Sequence, residues 1–65
     1  MVVQVEALNV DEARRIAESI VEPRRATFDG ILVYVHRLGE GRELAARRVE
    51  WTPRDGYVEM RYSDR

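Results

Sequence analysis

The chain lacks cysteine and has a single histidine, His36, among its 65 residues. Without cysteine, neither disulfide bonds nor thiolate metal ligands can stabilise so short a chain. A zinc site would depend mainly on carboxylates, which is rare for structural zinc. We therefore predict no metal and no cofactor. Because a domain of this size buries only about 60% of the surface that its unfolded chain exposes, we expect association with another chain to complete its core.

Lysine is also absent, and all eleven basic residues are arginine. Arginine-based recognition of phosphate or carboxylate is one interpretation, and codon usage in a GC-rich genome is the other. Twelve acidic residues bring the formal net charge to −1, so no overall positive field attracts nucleic acid. No basic region followed by an apolar core opens the sequence, and no apolar run approaches the length of a membrane span. We expect a cytoplasmic protein without membrane contact.

Strand and helix signals alternate in the order β-α-β-β-β. Residues 2–7 alternate between apolar and polar side chains, which predicts a strand. Asn9 has the character of a helix N-cap, and Glu12 can complete a capping box. Apolar residues at helical spacing continue the helix to Glu22, where Pro23 ends it. Further strands are predicted at 31–38, 42–51 and 57–63. The sequence thus predicts one α+β domain over residues 1–65, with a single helix packed on a four-stranded, mostly antiparallel sheet.

The strand at 31–38 is apolar on both faces, because Ile31 and Val33 point one way while Leu32 and Tyr34 point the other. Such a strand requires cover on both sides. One helix covers one face only, so we expect the second face to meet another chain.

Loop lengths predict how the last three strands pair. A three-residue loop at 39–41 pairs Tyr34 with Ala46. A four-residue loop at 53–56 pairs Trp51 with Val58, and a slip of one residue would exchange the faces of a strand. The face predicted to lie under the helix contains Val3, Val5, Ile31, Val33, Val35, Ala45, Val49, Trp51, Val58, Met60 and Tyr62.

The other face combines an apolar centre with tyrosine and arginine, as protein interfaces do. The predicted interface residues are Leu32, Tyr34, His36, Leu38, Leu44, Ala46, Arg48, Tyr57 and Arg61. The partner is either a second copy of the chain or a larger protein. We accordingly predict a small non-enzymatic protein-interaction module with an accessory or regulatory role.

Nucleic-acid binding is the first alternative, since aromatic side chains on a sheet can stack on bases while arginines contact phosphates. The residues suited to this role are Tyr34, His36, Arg48, Tyr57 and Arg61. Glutamates on the same strands, such as Glu50 and Glu59, would repel phosphates.

A minimal enzyme subunit is the second alternative, although we predict no catalytic residue. A general acid–base role for His36 would need a second positioned group. The segment Gly39-Glu40-Gly41 lacks the lysine and the following helix of a phosphate-binding loop.

Overall fold

The structure is a computed structural model that describes residues 1–39 and 45–61. One α-helix of the described residues packs against a four-stranded sheet of order β1-β2-β3-β4. The elements are β1 Val2–Ala7, α1 Ala13–Val21, β2 Ile31–Arg37, β3 Arg47–Thr52 and β4 Gly56–Arg61. β1 pairs with β2 in parallel, and the other two pairings are antiparallel. The predicted α+β fold, with one helix on a mostly antiparallel sheet, is confirmed.

The helical segment begins where the sequence predicts. Asn9 is the N-cap, and its side chain accepts a hydrogen bond of 3.0 Å from the backbone N–H of Asp11. The first turn, Val10–Glu12, is a 3-10 turn that leads into α1. The carboxylate of Glu12 lies 3.8 Å from the guanidinium of Arg15, so this pairing replaces the predicted capping box.

The helical segment continues two residues past the predicted end at Glu22. α1 stops at Val21, but a 3-10 turn at Glu22–Arg24 continues the coil through Pro23. Because proline has no N–H, Pro23 cannot donate to the carbonyl of Ser19 one turn back, so the α-helical hydrogen bonding ends with Glu22, whose N–H bonds the carbonyl of Glu18. The Arg24 side chain donates a 2.7 Å hydrogen bond to the backbone carbonyl of Ile20, which satisfies an acceptor near the helix C-terminus.

The core lies between α1 and one face of the sheet. α1 contributes Ala13, Ala17 and Val21, and the small alanines allow the helix axis to approach the strands closely. The sheet contributes Ile31, Val33, Val35, Val49 and Trp51, and Val10 closes the cluster at the start of the helical segment. Trp51 is buried against the helix, as predicted.

The pairing of β2 with β3 differs from the prediction by two residues. Tyr34 lies opposite Arg48 rather than opposite Ala46. A shift of two residues leaves each side chain on its predicted face, because side chains alternate with a period of two. The predicted loop and the start of the predicted third strand fall partly at 40–44, outside the described residues.

The pairing of β3 with β4 differs by one residue, and this exchanges the two faces of β4. Thr52 pairs with Gly56 and Trp51 with Tyr57. Gly56 has φ +70°, the left-handed conformation that a three-residue hairpin loop uses at its end. The loop is therefore one residue shorter than predicted. Placing Val58 and Met60 in the core was wrong, and the predicted core residue Tyr62 is outside the described residues.

Candidate protein-interaction surface

We call the side of the sheet that points away from α1 the open face. Strand alternation and the observed registers assign it a defined set of side chains. These are Val2, Gln4 and Glu6 from β1, Leu32, Tyr34 and His36 from β2, Arg48, Glu50 and Thr52 from β3, and Val58 and Met60 from β4.

Cross-strand neighbours on the open face form two complete rows. The Leu32 row consists of Val2, Leu32, Glu50 and Val58, and the Tyr34 row consists of Gln4, Tyr34, Arg48 and Met60. Each strand contributes one residue to each row. The rows are about 6.7 Å apart, which is two residues along a strand.

Apolar surface is exposed on this face at the edge strand. Val58 is 49% exposed and Met60 is 43% exposed. Leu32 and Tyr34, on a central strand, are half-buried. Adjacent exposed apolar side chains of this kind usually mark an interaction site.

The open face carries one arginine and one glutamate on β3, and neither has an ion-pair partner among residues 1–39 and 45–61. Arg48 and Glu50 make no ion pair with any of the residues described. By contrast, Arg47, the neighbour that points towards the helix, lies 2.7 Å from the carboxylate of Asp11 and 3.8 Å from that of Glu59. Within the described part of the chain, the charges of Arg48 and Glu50 are therefore unpaired.

His36 lies at one end of the open face, but it is only 2% exposed. Its Nε2 donates a hydrogen bond of 2.8 Å to the Gln4 side-chain oxygen, and its Nδ1 is buried with no hydrogen-bond partner among the described residues. Its predicted place on an accessible interface is corrected, because the folded single chain already covers the ring.

The structure brings together only part of the predicted interface. Leu32, Tyr34 and Arg48 share the open face, and Leu38 is exposed in the turn that follows β2. Leu44 lies outside the described residues.

Three predicted interface residues lie elsewhere, and their placement is corrected. Ala46 packs against the buried core where the chain enters β3. The one-residue change in the β4 register turns Tyr57 and Arg61 to the helix-facing side. The same change adds Val58 and Met60 to the open face, which the sequence reasoning missed. The signal that could have found them is Gly56, the glycine that ends a three-residue loop.

Tyr57 forms a polar cluster with the end of the helix. Its hydroxyl donates a 2.7 Å hydrogen bond to the Glu22 carboxylate, and the Arg14 guanidinium lies 5.3 Å from the centre of its ring. Arg25 donates to both Glu22 oxygens at 3.1 Å and lies over the ring of Trp51 at 5.4 Å. These contacts attach β4 to the first turn of α1 and to the 3-10 turn that follows it.

The cluster shifts the pKa of both hydrogen-bonded groups. The hydrogen bond from Tyr57, together with Arg25, lowers the pKa of the Glu22 carboxyl. Burial, together with the hydrogen bond to Glu22, raises the pKa of the Tyr57 hydroxyl to about 12. The internal pairing of these groups satisfies them within the chain and gives the cluster a structural role.

Among residues 1–39 and 45–61, no group of three or more His, Cys, Asp or Glu side chains is arranged to hold a metal ion. In that same part of the chain, no helix has both the length and the apolar character that crossing a membrane requires. No protein-family model, curated protein or solved structure matches the chain.

Proposed function

We propose that the chain is a non-enzymatic protein-interaction module with an accessory or regulatory role, and that it acts through the open face. The preferred partner is a second copy of the chain, and a larger protein is the other candidate. A cytoplasmic location, expected from the sequence, is part of this proposal.

The observation that carries the proposal is the chemistry of the open face. Half-exposed Val58 and Met60 on β4 share one sheet surface with half-buried Leu32 and Tyr34 on β2. Arg48 and Glu50 of β3 lie between the two apolar pairs. Burying apolar surface stabilises an association by about 25 cal/mol per Å². A small core that is covered by a helix on one side only gains stability when its other side is also covered.

A second copy is the preferred partner because the open face carries both signs of charge. An interface in a symmetric dimer must be complementary to itself. Arg48 and Glu50 give each copy one group of either sign on the same strand, and neither is paired with another of the residues that the structure describes. A face of one sign only would instead favour a partner of opposite charge.

The test is a charge placed on the open face, with a matched control elsewhere. Val58→Glu should convert a wild-type dimer to a monomer, because it introduces a carboxylate into an apolar contact that excludes water. Leu8→Glu, at a position that is 85% exposed in the connection before the helix, should leave the dimer intact. Sedimentation velocity gives the mass of each variant at the same concentration.

Equilibrium unfolding of the wild type supplies an independent readout. The unfolding midpoint of a dimer rises with protein concentration. A monomeric wild type whose midpoint is constant over a hundredfold concentration range would contradict the homodimer and leave a larger protein as the partner. A dimer that tolerates Val58→Glu would show that association uses another surface.

Nucleic-acid binding has less structural support than the sequence suggested. Tyr57 and Arg61 point to the helix side, which leaves Tyr34 and Arg48 on the open face with Glu50 beside them. A salt titration with random single-stranded oligonucleotides tests this alternative, since phosphate contacts make affinity fall steeply with salt concentration. Salt-sensitive binding that is lost in Arg48→Gln would favour this alternative over protein contact.

A further inference from the structure

The Leu32 row and the Tyr34 row are complementary to each other when one sheet is turned over onto a second. Consider a two-fold axis that lies between two facing sheets, runs across the strands and passes midway between the rows. Each strand then lies over its own counterpart, which runs in the opposite direction. The Leu32 row of one copy therefore faces the Tyr34 row of the other.

We infer that two copies bind face to face in this arrangement, an inference that rests on the proposed function. The contacts on the central strands are Leu32 with Tyr34 of the second copy and Glu50 with Arg48 of the second copy, each formed twice by symmetry. On the edge strands, Val58 faces Met60 and Val2 faces Gln4.

Another symmetric arrangement uses an axis parallel to the strands, and it fits less well. It places β2 of one copy over β3 of the other at the same height. Glu50 then faces Leu32, and Arg48 faces Tyr34. The carboxylate would be buried against an apolar side chain without a partner, which is costly. The axis across the strands pairs both charges, so the geometry selects it.

Sheet twist concentrates the decisive contacts near the axis. Two facing sheets pack with their strands about 30° apart, because each sheet is twisted. The alignment of rows is therefore closest at the two central strands and weakest at the edges. Leu32, Tyr34, Arg48 and Glu50 all lie on the central strands β2 and β3.

The size of the face is sufficient for a reversible dimer. A standard interface takes about 800 Å² from each partner, which is about a sixth of the 4577 Å² of accessible surface on this chain. Four strands spaced about 4.8 Å apart form a face about 19 Å wide. Six residues of strand are about 20 Å long, so the face has a projected area of about 400 Å². A dimer on this face is therefore smaller than the standard interface and should dissociate on dilution.

The experiment exchanges the two charges on β3. Arg48→Glu makes both positions acidic, and Glu50→Arg makes both positions basic, so each variant alone brings like charges together across the axis. We expect the dissociation constant of each to rise at least tenfold. An equimolar mixture should form a heterodimer, since an acidic face then meets a basic one. The double variant Arg48→Glu/Glu50→Arg should recover the homodimer.

A matched control exchanges an exposed pair away from the face. Arg54 and Asp55 lie in the β3–β4 turn. Arg54→Glu and Asp55→Arg make the same two kinds of charge reversal as the variants on β3, but away from the open face, so neither should affect dimerisation. Circular dichroism checks the fold of each variant. If a single variant does not fold, the double variant still tests the contact, because it contains both charges in exchanged positions and should form the homodimer.

The outcomes separate this inference from the proposed function. If Val58→Glu abolishes the wild-type dimer while the charge reversals leave it unchanged, the open face binds a second copy in another arrangement. A mixture of the two single variants that stays monomeric would also overturn the two-row contact. A wild type that is monomeric at every concentration would overturn the inference and the homodimer together.

Discussion

Trp51→Ala tests whether Trp51 lies in the core between α1 and the sheet. Trp51 is 4% exposed and lies among the buried side chains of the sheet and α1. A buried aromatic side chain removes about 150–250 Å² from water, which at about 25 cal/mol per Å² corresponds to about 4–6 kcal/mol. Measured losses for Trp→Ala in cores are about 3–5 kcal/mol, because the site partly collapses.

This loss is comparable with the whole stability expected of the chain. At about 0.05–0.15 kcal/mol per residue, a protein of this length has about 3–10 kcal/mol in total. Trp51→Ala should therefore be largely unfolded, or should unfold at much lower urea concentration than the wild type. Trp51→Phe should retain the fold at reduced stability, because it keeps an aromatic ring in the same site.

Urea unfolding followed by far-ultraviolet circular dichroism measures both variants, since the substitution removes the tryptophan fluorophore. Phe28→Ala is the matched control, because Phe28 is an exposed aromatic in the connection before β2. It should cost less than about 1 kcal/mol, as surface substitutions do. A loss below about 1 kcal/mol for Trp51→Ala would refute the placement of this side chain in the core.

The remaining predictions concern the attachment and the turn of β4. The raised pKa of Tyr57, about 12, means that its folded form holds the proton more tightly than the unfolded form. The stability that this provides is complete below the ordinary pKa of tyrosine, about 10, and is lost as pH rises through about 12. The stability difference between wild type and Tyr57→Phe in urea should therefore shrink between pH 10 and 12, and a constant difference would show that the hydrogen bond to Glu22 is not coupled to folding. Gly56→Ala should cost about 1–2 kcal/mol, because alanine is strained at positive φ. Gly30→Ala should be nearly neutral, since its added Cβ meets no atom closer than 3.9 Å, and equal losses in thermal melts of the two variants would contradict the assigned turn.

The helix could be predicted from the sequence because its signals are local. Asn9, the apolar stripe and Pro23 act within a few residues of the bonds that they make or prevent. β1 was predictable for the same reason, since its alternation needs no knowledge of its partner. These signals do not reveal that a 3-10 turn carries the coil past Pro23, because that depends on how the connection continues.

The strand registers were harder to predict, for two different reasons. Pairing Tyr34 with Arg48 instead of Ala46 leaves every side chain on the same face of the sheet, so hydrophobic alternation cannot distinguish the two registers. Pairing Trp51 with Tyr57 instead of Val58 does move each β4 side chain to the opposite face of the sheet. The segment from Pro53 to Gly56 fits a loop of either length, and the conformation of one glycine decides between them.

The candidate site was predictable on the central strands and not at the edge. Leu32, Tyr34 and Arg48 were placed correctly because β2 and β3 kept their faces. His36 was misjudged, since its alternation gives the right face but does not reveal that the folded chain covers the ring.

β1 has a consequence for the order of events during synthesis. Val2 pairs with Leu32, thirty positions later, whereas β2, β3 and β4 are consecutive neighbours. At about 5–20 residues per second, a ribosome needs about 1.5–6 s to make the intervening chain. Throughout that time β1 has no strand to join. Its exposed positions Gln4 and Glu6 interrupt the valines, and this alternation keeps the waiting segment from presenting a continuous apolar surface to other nascent chains.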